Sequence, residues 1–217
     1  MIRGIFKKEH KHRFLCQVLV DKKSELCYVA NSSHFSDLIS LENKKVLLRA
    51  NKGKNLKTRY TLYAVNSENT NILLDLKELN NIFFQYLKDN KKYLPIKKEY
   101  IISGYKTDFY IEKTKPVYEI KGVLSKTNIA NYTFKDHNRA YNQLQKIKYL
   151  LSLGYKINFV FILLNPKIDT FILSDKRLKE NKLFLNCIKS GLKVCFYKTY
   201  WDKNIFKIKN VHPKTNF

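Results

Sequence analysis

The sequence predicts an α+β fold in two parts: a small all-β barrel, then a larger unit with a mixed central sheet and flanking helices. Three observations predict it. Residues 1 to 68 break into short apolar stretches separated by polar turns, the pattern of a barrel or sandwich of short strands. From residue 69 to 217 the periodicity alternates between helix and strand, in the order α-β-β-β-α-β-α-β. The 217 residues, 44% of them apolar, suffice for a real hydrophobic core. No internal repeat and no low-complexity linker interrupts the chain.

In the first part, Phe14 to Val20 and Glu25 to Ala30 read as strands around the turn Asp21 to Ser24. Lys44 to Arg49 and Arg59 to Val65 read as two more, and Ile72 to Leu76 is a candidate fifth. Five such strands suit an OB-type barrel. In the second part, Leu79, Ile82, Phe83, Tyr86 and Leu87 recur at helical spacing over residues 77–89. Strands follow over 97–102, 105–112 and 117–123. A helix over 136–153 carries Ala140, Leu144, Ile147 and Leu151 on one stripe and stops at Gly154. Tyr155 to Leu164 is a buried strand, 176–190 a helix ended by Gly191, and Val194 to Tyr197 the start of a last strand. The residues before 14 and after 208 read as irregular.

Lys and Arg number 42 against 18 Asp and Glu, a net charge of +24. Such an excess points to a polyanionic partner, nucleic acid foremost. The scarcity of Arg beside abundant Lys and Asn also fits an AT-rich genome, but base composition does not explain the excess of basic over acidic residues. The opening MIRGIFKKEHKHR offers no apolar stretch for a signal peptide, and the longest apolar run, Phe159 to Leu164, is far too short to span a membrane. No helix stands out as a membrane anchor. The expectation is a cytoplasmic protein without a membrane partner. Cys16, Cys27, Cys187 and Cys195 form no Cys-x-x-Cys pair and sit among apolar residues, so buried reduced thiols are expected, and the histidines show no zinc spacing.

The stretch KTDFYIEKTKPVYEIK, Lys106 to Lys121, places charges inside two strand-like runs. Charged residues are depleted in strands and costly to bury unpaired. If Glu112 pairs with Val117 across a turn at Lys113 to Pro116, Asp108 lies opposite Lys121. Glu119 then shares their face, diagonal to Asp108. Two carboxylates so placed can converge on a divalent cation, and a lysine beside them can orient an attacking water or stabilise developing charge. The same spacing also fits an exposed sheet face with an ordinary ion pair.

Element order and triad together resemble the PD-(D/E)XK nuclease core. More closely, the chain resembles the sugar fermentation stimulation protein family, over residues 12 to 200. HRFLCQVLV, VANSSHFSDL and RYTLY are similar to that family's Arg-Phe, Pro-Asn-Thr-Gly-Ser-Met and Tyr-Thr-Leu segments. KTDFYI and VYEIKGVLS are similar to its Ile-Asp-Phe and Val-Glu-Val-Lys-Asn segments, and FKDHNRAYNQL to a further one. The resemblance implies an OB-like N-terminal domain (1–68) contacting DNA and a nuclease-like domain (69–217). It implies Asp108 and Glu119 as ligands of Mg²⁺ or Mn²⁺, with Lys121 as the catalytic lysine. Ser33 stands where the family has Gly, and Asn142 and Gln143 where it has Lys-His. The family's helix Glu, a third metal ligand, falls on Gln85, and a neutral amide supplies less charge to a cation.

Lys52, Lys54, Lys57 and Arg59 form a basic loop suited to phosphate. Arg13 belongs to the matched Arg-Phe segment, and Asn31 either contacts nucleic acid or closes a turn. Arg139, in the first turns of its helix, either clamps a phosphate or pairs with Asp136. Gln145 and Tyr149 have a Gln-x-x-x-Tyr spacing found in some nucleases. The combined reading is a DNA-binding protein with a metal-dependent phosphodiesterase site. The alternatives are a non-catalytic DNA-binding regulator that keeps the nuclease fold as scaffold, and an RNA-binding module.

Overall fold

The computed structural model describes residues 1–11, 14–30, 35, 38–53, 56–90 (Asn90 by its backbone alone), 95–134 and 136–217. Strands β1 (Ile2–Glu9), β2 (Leu15–Val20), β3 (Lys23–Tyr28), β4 (Lys45–Ala50) and β5 (Tyr60–Ser67) close on themselves as an OB-like barrel. β1 pairs with β2 and β4, β2 with β3, and β5 with β4; a parallel β3–β5 pairing completes the ring. β6 (Thr70–Leu73) adds to the outside of β5. The sequence reading counts the barrel differently. The stretch read as irregular holds β1, and the candidate fifth strand is β6. β1 escapes a hydrophobicity reading because only Phe6 of its eight residues is buried.

The second unit opens with helix α1 (Glu78–Asn90). Next come β7 (Ile96–Lys98), β8 (Ile101–Ile102), β9 (Tyr105–Lys106), β10 (Phe109–Ile111), β11 (Pro116–Val123) and β12 (Ile129–Tyr132). Helix α2 (His137–Ser152), β13 (Lys156–Leu163) and β14 (Thr170–Leu173) lead to α3 (Leu178–Lys189). β15 (Lys193–Asp202), β16 (Ile205–Val211) and β17 (Lys214–Asn216) complete the chain. The main sheet has the order β16-β15-β13-β11-β10-β7, parallel in its centre (β11, β13, β15) and antiparallel at both sides. A small sheet β12-β14-β17 and the hairpin β8–β9 stand apart from it. The residues after 208 are therefore ordered rather than irregular. β16 alternates buried Phe206 and Ile208 with exposed neighbours, as a half-buried strand does.

Two apolar clusters sandwich the main sheet. One fills the barrel and continues through Leu79, Ile82, Phe83 and Leu87 of α1 to Tyr118, Ile120, Val160 and Ile162 on the sheet. Phe83 is its pivot, with ring centroids 5.5 Å from Tyr118 and 5.4 Å from Tyr197. Tyr63 of the barrel meets Trp201 and Phe206 of the β15–β16 hairpin at 6.4 and 5.7 Å. The other cluster lies on the opposite face, where Ala140, Leu144, Ile147 and Leu150 of α2 pack with Phe159, Phe161 and Phe184. Leu150, rather than Leu151, completes that helical stripe. Asp136 caps α2 by accepting from the Arg139 backbone N–H at 3.4 Å, and Gly154, at φ 81, follows its end. Cys16, Cys27 and Cys187 are buried, Cys195 half-buried, and all four are free thiols.

Candidate active site

β10 and β11 form a hairpin that pairs Phe109 with Tyr118 and Tyr110 with Val117. The sequence reading places Glu112 against Val117; the actual register is two residues away. The turn occupies 112–115, with Lys115 left-handed at φ 57, and Pro116 opens the strand rather than closing the turn. A slip of two preserves the parity of every side chain. Continued by one residue, the register sets Asp108 directly across from Glu119, with Lys121 as diagonal neighbour. Strand alternation sends Val117 and Val123 into the cluster under α2, while Tyr118 and Ile120 face α1. Glu119 and Lys121 therefore face α2.

Glu119 is buried, and each of its oxygens accepts a hydrogen bond. The Tyr105 hydroxyl donates to Oε2 at 2.5 Å and Lys121 Nζ to Oε1 at 2.7 Å. Gln143 Nε2 of α2 donates in turn to the Tyr105 oxygen at 3.1 Å. Asp108 Oδ2 accepts from the Ile120 backbone N–H at 2.7 Å, and Oδ1 from Asn80 Nδ2 of α1 at 3.1 Å. Burial, and then the facing Glu119, push the Asp108 carboxyl up to about 6, although the Ile120 N–H, Lys121 and Asn80 oppose the rise. Burial, with the Glu119 carboxylate beside it, holds the Tyr105 phenol well above its ordinary value, so it remains a donor.

Tyr105 reaches Glu119 because Gly104, at φ 72, turns the β8–β9 hairpin under α2. Lys146 lies over that turn: a Cβ on Gly104 would stand 3.4 Å from its Nζ. Arg139, exposed, is one helical turn before Gln143 on the same side of α2. Its backbone N–H, not its guanidinium, meets Asp136.

Gln85 is not part of this arrangement. It lies about 200° round α1 from core-facing Phe83, is exposed, and donates to Asp89 Oδ1 at 2.7 Å. Glu78, the other acidic candidate on α1, pairs with Arg49. The helix residue that touches the site is Asn80. Gln145 donates to Tyr141 at 3.0 Å and Tyr149 is 53% exposed, so the Gln-x-x-x-Tyr spacing lies on the solvent side of α2. Sequence reasoning misses Tyr105, Gln143 and Asn80. Only Gln143 carries a signal, as a departure from the family's Lys-His.

Lys52, Lys57 and Arg59 are exposed on the β4–β5 loop, away from the carboxylates in sequence and on the barrel. Asn51 braces this loop: its Nδ2 donates to the Thr58 carbonyl at 3.0 Å, and its Oδ1 accepts from the Thr61 hydroxyl at 2.6 Å. Arg59 Nη1 is 3.4 Å from Glu25. In OB barrels the β1–β2 and β4–β5 loops flank the ligand face. Arg13, Asn31 and Lys54 lie outside the described residues.

A family model described as the SfsA N-terminal OB domain matches residues 9–74. A sugar fermentation stimulation protein homolog of Desulfitobacterium hafniense (strain Y51) is 27% identical over 192 residues, covering 84% of this chain and 82% of the relative. Another, from Ruminiclostridium cellulolyticum, is 27% identical over 195 residues, with 87% and 84% covered. The chain is similar to sugar fermentation stimulation protein homologs along most of its length. A solved structure, "The structure of Pyrococcus Furiosus SfsA in complex with Ca2+", superposes with a TM-score of 0.80 at 17% identity, across 100% of this chain and 96% of that one. That likeness establishes that this chain has the same fold. The family match ends at residue 74, just past β6.

The donor set suits a hard divalent cation. Two carboxylates face each other within a mostly buried setting, and Asn80 steadies Asp108 with its amide N–H. No third His, Cys, Asp or Glu completes the group among the described residues.

Proposed function

We propose that this chain binds nucleic acid through its phosphates and carries a divalent-metal-dependent phosphodiesterase site at Asp108, Glu119 and Lys121. The opposition of Asp108 and Glu119 carries the reading. Two carboxylates crowded together on neighbouring strands of an apolar sheet, one pushed up to about 6, are a poor structural device and a good cation cradle. The Pyrococcus protein, solved in complex with Ca²⁺, supports a hard-cation site in this fold.

Mg²⁺ or Mn²⁺ would be held by Asp108 and Glu119, and would polarise a phosphoryl oxygen and acidify a bound water. Tyr105 fixes the Glu119 carboxylate, and Asn80 with the Ile120 N–H fixes Asp108. Lys121, 27% exposed, is the one cation touching these carboxylates with access to solvent among the described residues. Its ammonium would face an attacking water or a phosphate oxygen there. Arg139 stands where it can meet the scissile strand, and Lys52, Lys57 and Arg59 add phosphate contacts from the barrel.

A second reading is favoured by one observation: both Glu119 oxygens already have donors, and Gln85 brings no third ligand. A regulator that keeps the nuclease fold as scaffold would look like this. Labelled single- and double-stranded DNA and RNA, incubated with Mg²⁺, Mn²⁺ or EDTA, decide between them. Metal-dependent cleavage lost in Asp108→Ala supports the nuclease. Binding to nucleic acid with no cleavage under any metal supports the regulator, and cleavage undiminished by EDTA sinks the proposed site.

A further inference from the structure

A cleft opens at the end of the barrel remote from the β1–β2 and β4–β5 loops, where β1 and β4 begin and β2 and β5 end. It encloses about 720 Å³, within the roughly 300–1,000 Å³ of small-molecule sites. Strand alternation builds its floor. Val18, Val46 and Leu48 are buried inside the barrel, and a Cβ on Gly4 would strike Val18. Arg3, Ile5, Leu19, Lys45 and Leu47 therefore point out. The register sets Ile5 between Leu19 and Lys45, and Arg3 against Leu47. Half-buried Ile5, Leu19 and Leu47 make an aliphatic floor, and Trp201 of the β15–β16 hairpin lines the cleft from across the junction. Trp201 packs with the barrel cluster, on the face of the main sheet opposite Glu119 and Lys121, so the cleft is no part of the carboxylate site.

Arg3, Lys22 and Lys45 are exposed at the margins of this cleft, and none has an ion-pair partner among the described residues. No Asp or Glu lines it among those residues, and Asp202, next to Trp201, is held by Lys207 at 2.6 Å. Three cations without a counter-charge around one concavity attract an anion. Asn66 and Asn71 add a polar edge. Asn66 Nδ2 donates to Asn71 Oδ1 at 3.0 Å, which leaves Asn66 Oδ1 and Asn71 Nδ2 to a ligand. A neighbouring acceptor and donor match the edge of a nucleobase. Inorganic phosphate would use the cations and leave the floor and the indole idle. A lipid chain would use the floor and leave the amides unpaired. A nucleotide uses cations, floor, indole and amides together.

We propose that this cleft binds a mononucleotide, with its phosphate held by Arg3, Lys22 and Lys45 and its base set against Trp201 and the aliphatic floor. The site stands independently of the phosphodiesterase reading above. A nucleotide bound there bridges the barrel and the main sheet.

Trp201 is the chain's only tryptophan, so intrinsic indole fluorescence reports on this cleft directly. The full chain in EDTA is titrated with 5′-AMP, adenosine and inorganic phosphate, followed by fluorescence and by calorimetry. 5′-AMP should change the indole emission saturably. Adenosine and inorganic phosphate should each bind at least about tenfold more weakly, because each lacks part of the contacts. Arg3→Ala and Lys45→Ala should each weaken 5′-AMP by about 10- to 100-fold, the loss of one charge-assisted hydrogen bond, with Tm in the absence of ligand unchanged. Lys182→Ala, on exposed α3 surface, should leave the affinity as it is, which separates a site from the general charge of the chain. No saturable emission change and no heat with 5′-AMP overturns the proposal, as does equal weakening by Lys182→Ala. Inorganic phosphate that binds as tightly as 5′-AMP overturns the nucleotide assignment and makes the cleft a simple anion site. An oligodeoxyadenylate that binds more tightly than 5′-AMP, and is lost in Arg3→Ala, gives the cleft to a nucleic-acid strand instead.

Discussion

Tyr105 fixes one oxygen of Glu119 while Lys121 takes the other. The phenol sits on a two-residue strand of a separate hairpin, and Gln143 of α2 steadies it from behind. The carboxylate is thus oriented by its own strand and by two elements distant in sequence. Groups that hold a ligating carboxylate typically contribute about 10- to 100-fold to metal affinity.

Tyr105→Phe should therefore weaken Mn²⁺ binding by about tenfold, as read by calorimetry. Gln143→Leu should have a smaller effect in the same direction. Unchanged affinity in Tyr105→Phe would mean that Glu119 is not a ligand, or is held without the phenol.

The Asp108 carboxyl gives a pH signature. Its folded value, about 6, exceeds the ordinary 3.8. Between those values the native state holds more protons than the unfolded chain, so stability falls as pH rises through that window. The full penalty, up to roughly 3 kcal/mol, is reached above the folded value. Asp108→Asn should raise Tm at about pH 7.5, and the gain should vanish near about pH 4. A gain independent of pH would assign the effect to packing.

Helix α1 offers a comparison. Gln85→Glu should leave Mn²⁺ affinity within about twofold and cost the helix a few tenths of a kcal/mol, because a second carboxylate then faces Asp89 one turn on. Asn80→Asp should instead tighten Mn²⁺, since it adds charge beside Asp108. The reverse outcome would return the third ligand to Gln85, where the family resemblance places it.

Lys52→Ala with Lys57→Ala should flatten the salt dependence of duplex binding. Each phosphate left without its lysine lowers the slope of log affinity against log salt by about 0.9. An unchanged slope would show that the β4–β5 loop does not touch phosphate.

The shared face of Asp108, Glu119 and Lys121 is legible in the sequence because strand parity has a period of two. The hairpin's true register differs from the anticipated one by two, so the face survives although the pairing does not. Gln85 is misplaced because helix phase is unforgiving: two residues from Phe83 is the far side of the cylinder. β1 is hidden by its charges. Ile2–Glu9 buries a single side chain, and its role follows from closing the barrel between β2 and β4. Tyr105, Gln143 and Asn80 meet only in space, through hydrogen bonds between elements joined by no sequence spacing.

The apolar cluster that fills the barrel runs without a break through α1 into the main sheet, and Tyr63 abuts Trp201 and Phe206 across the junction. Such an arrangement leaves the two units nothing to pivot on. On the proposed function, the barrel and the carboxylates would work as the fixed jaws of a caliper, the separation between grip and cut set when the protein folds. A strand gripped by the barrel and cleaved at Asp108 and Glu119 should yield fragments of a narrow length, a spacing read directly from a sequencing gel.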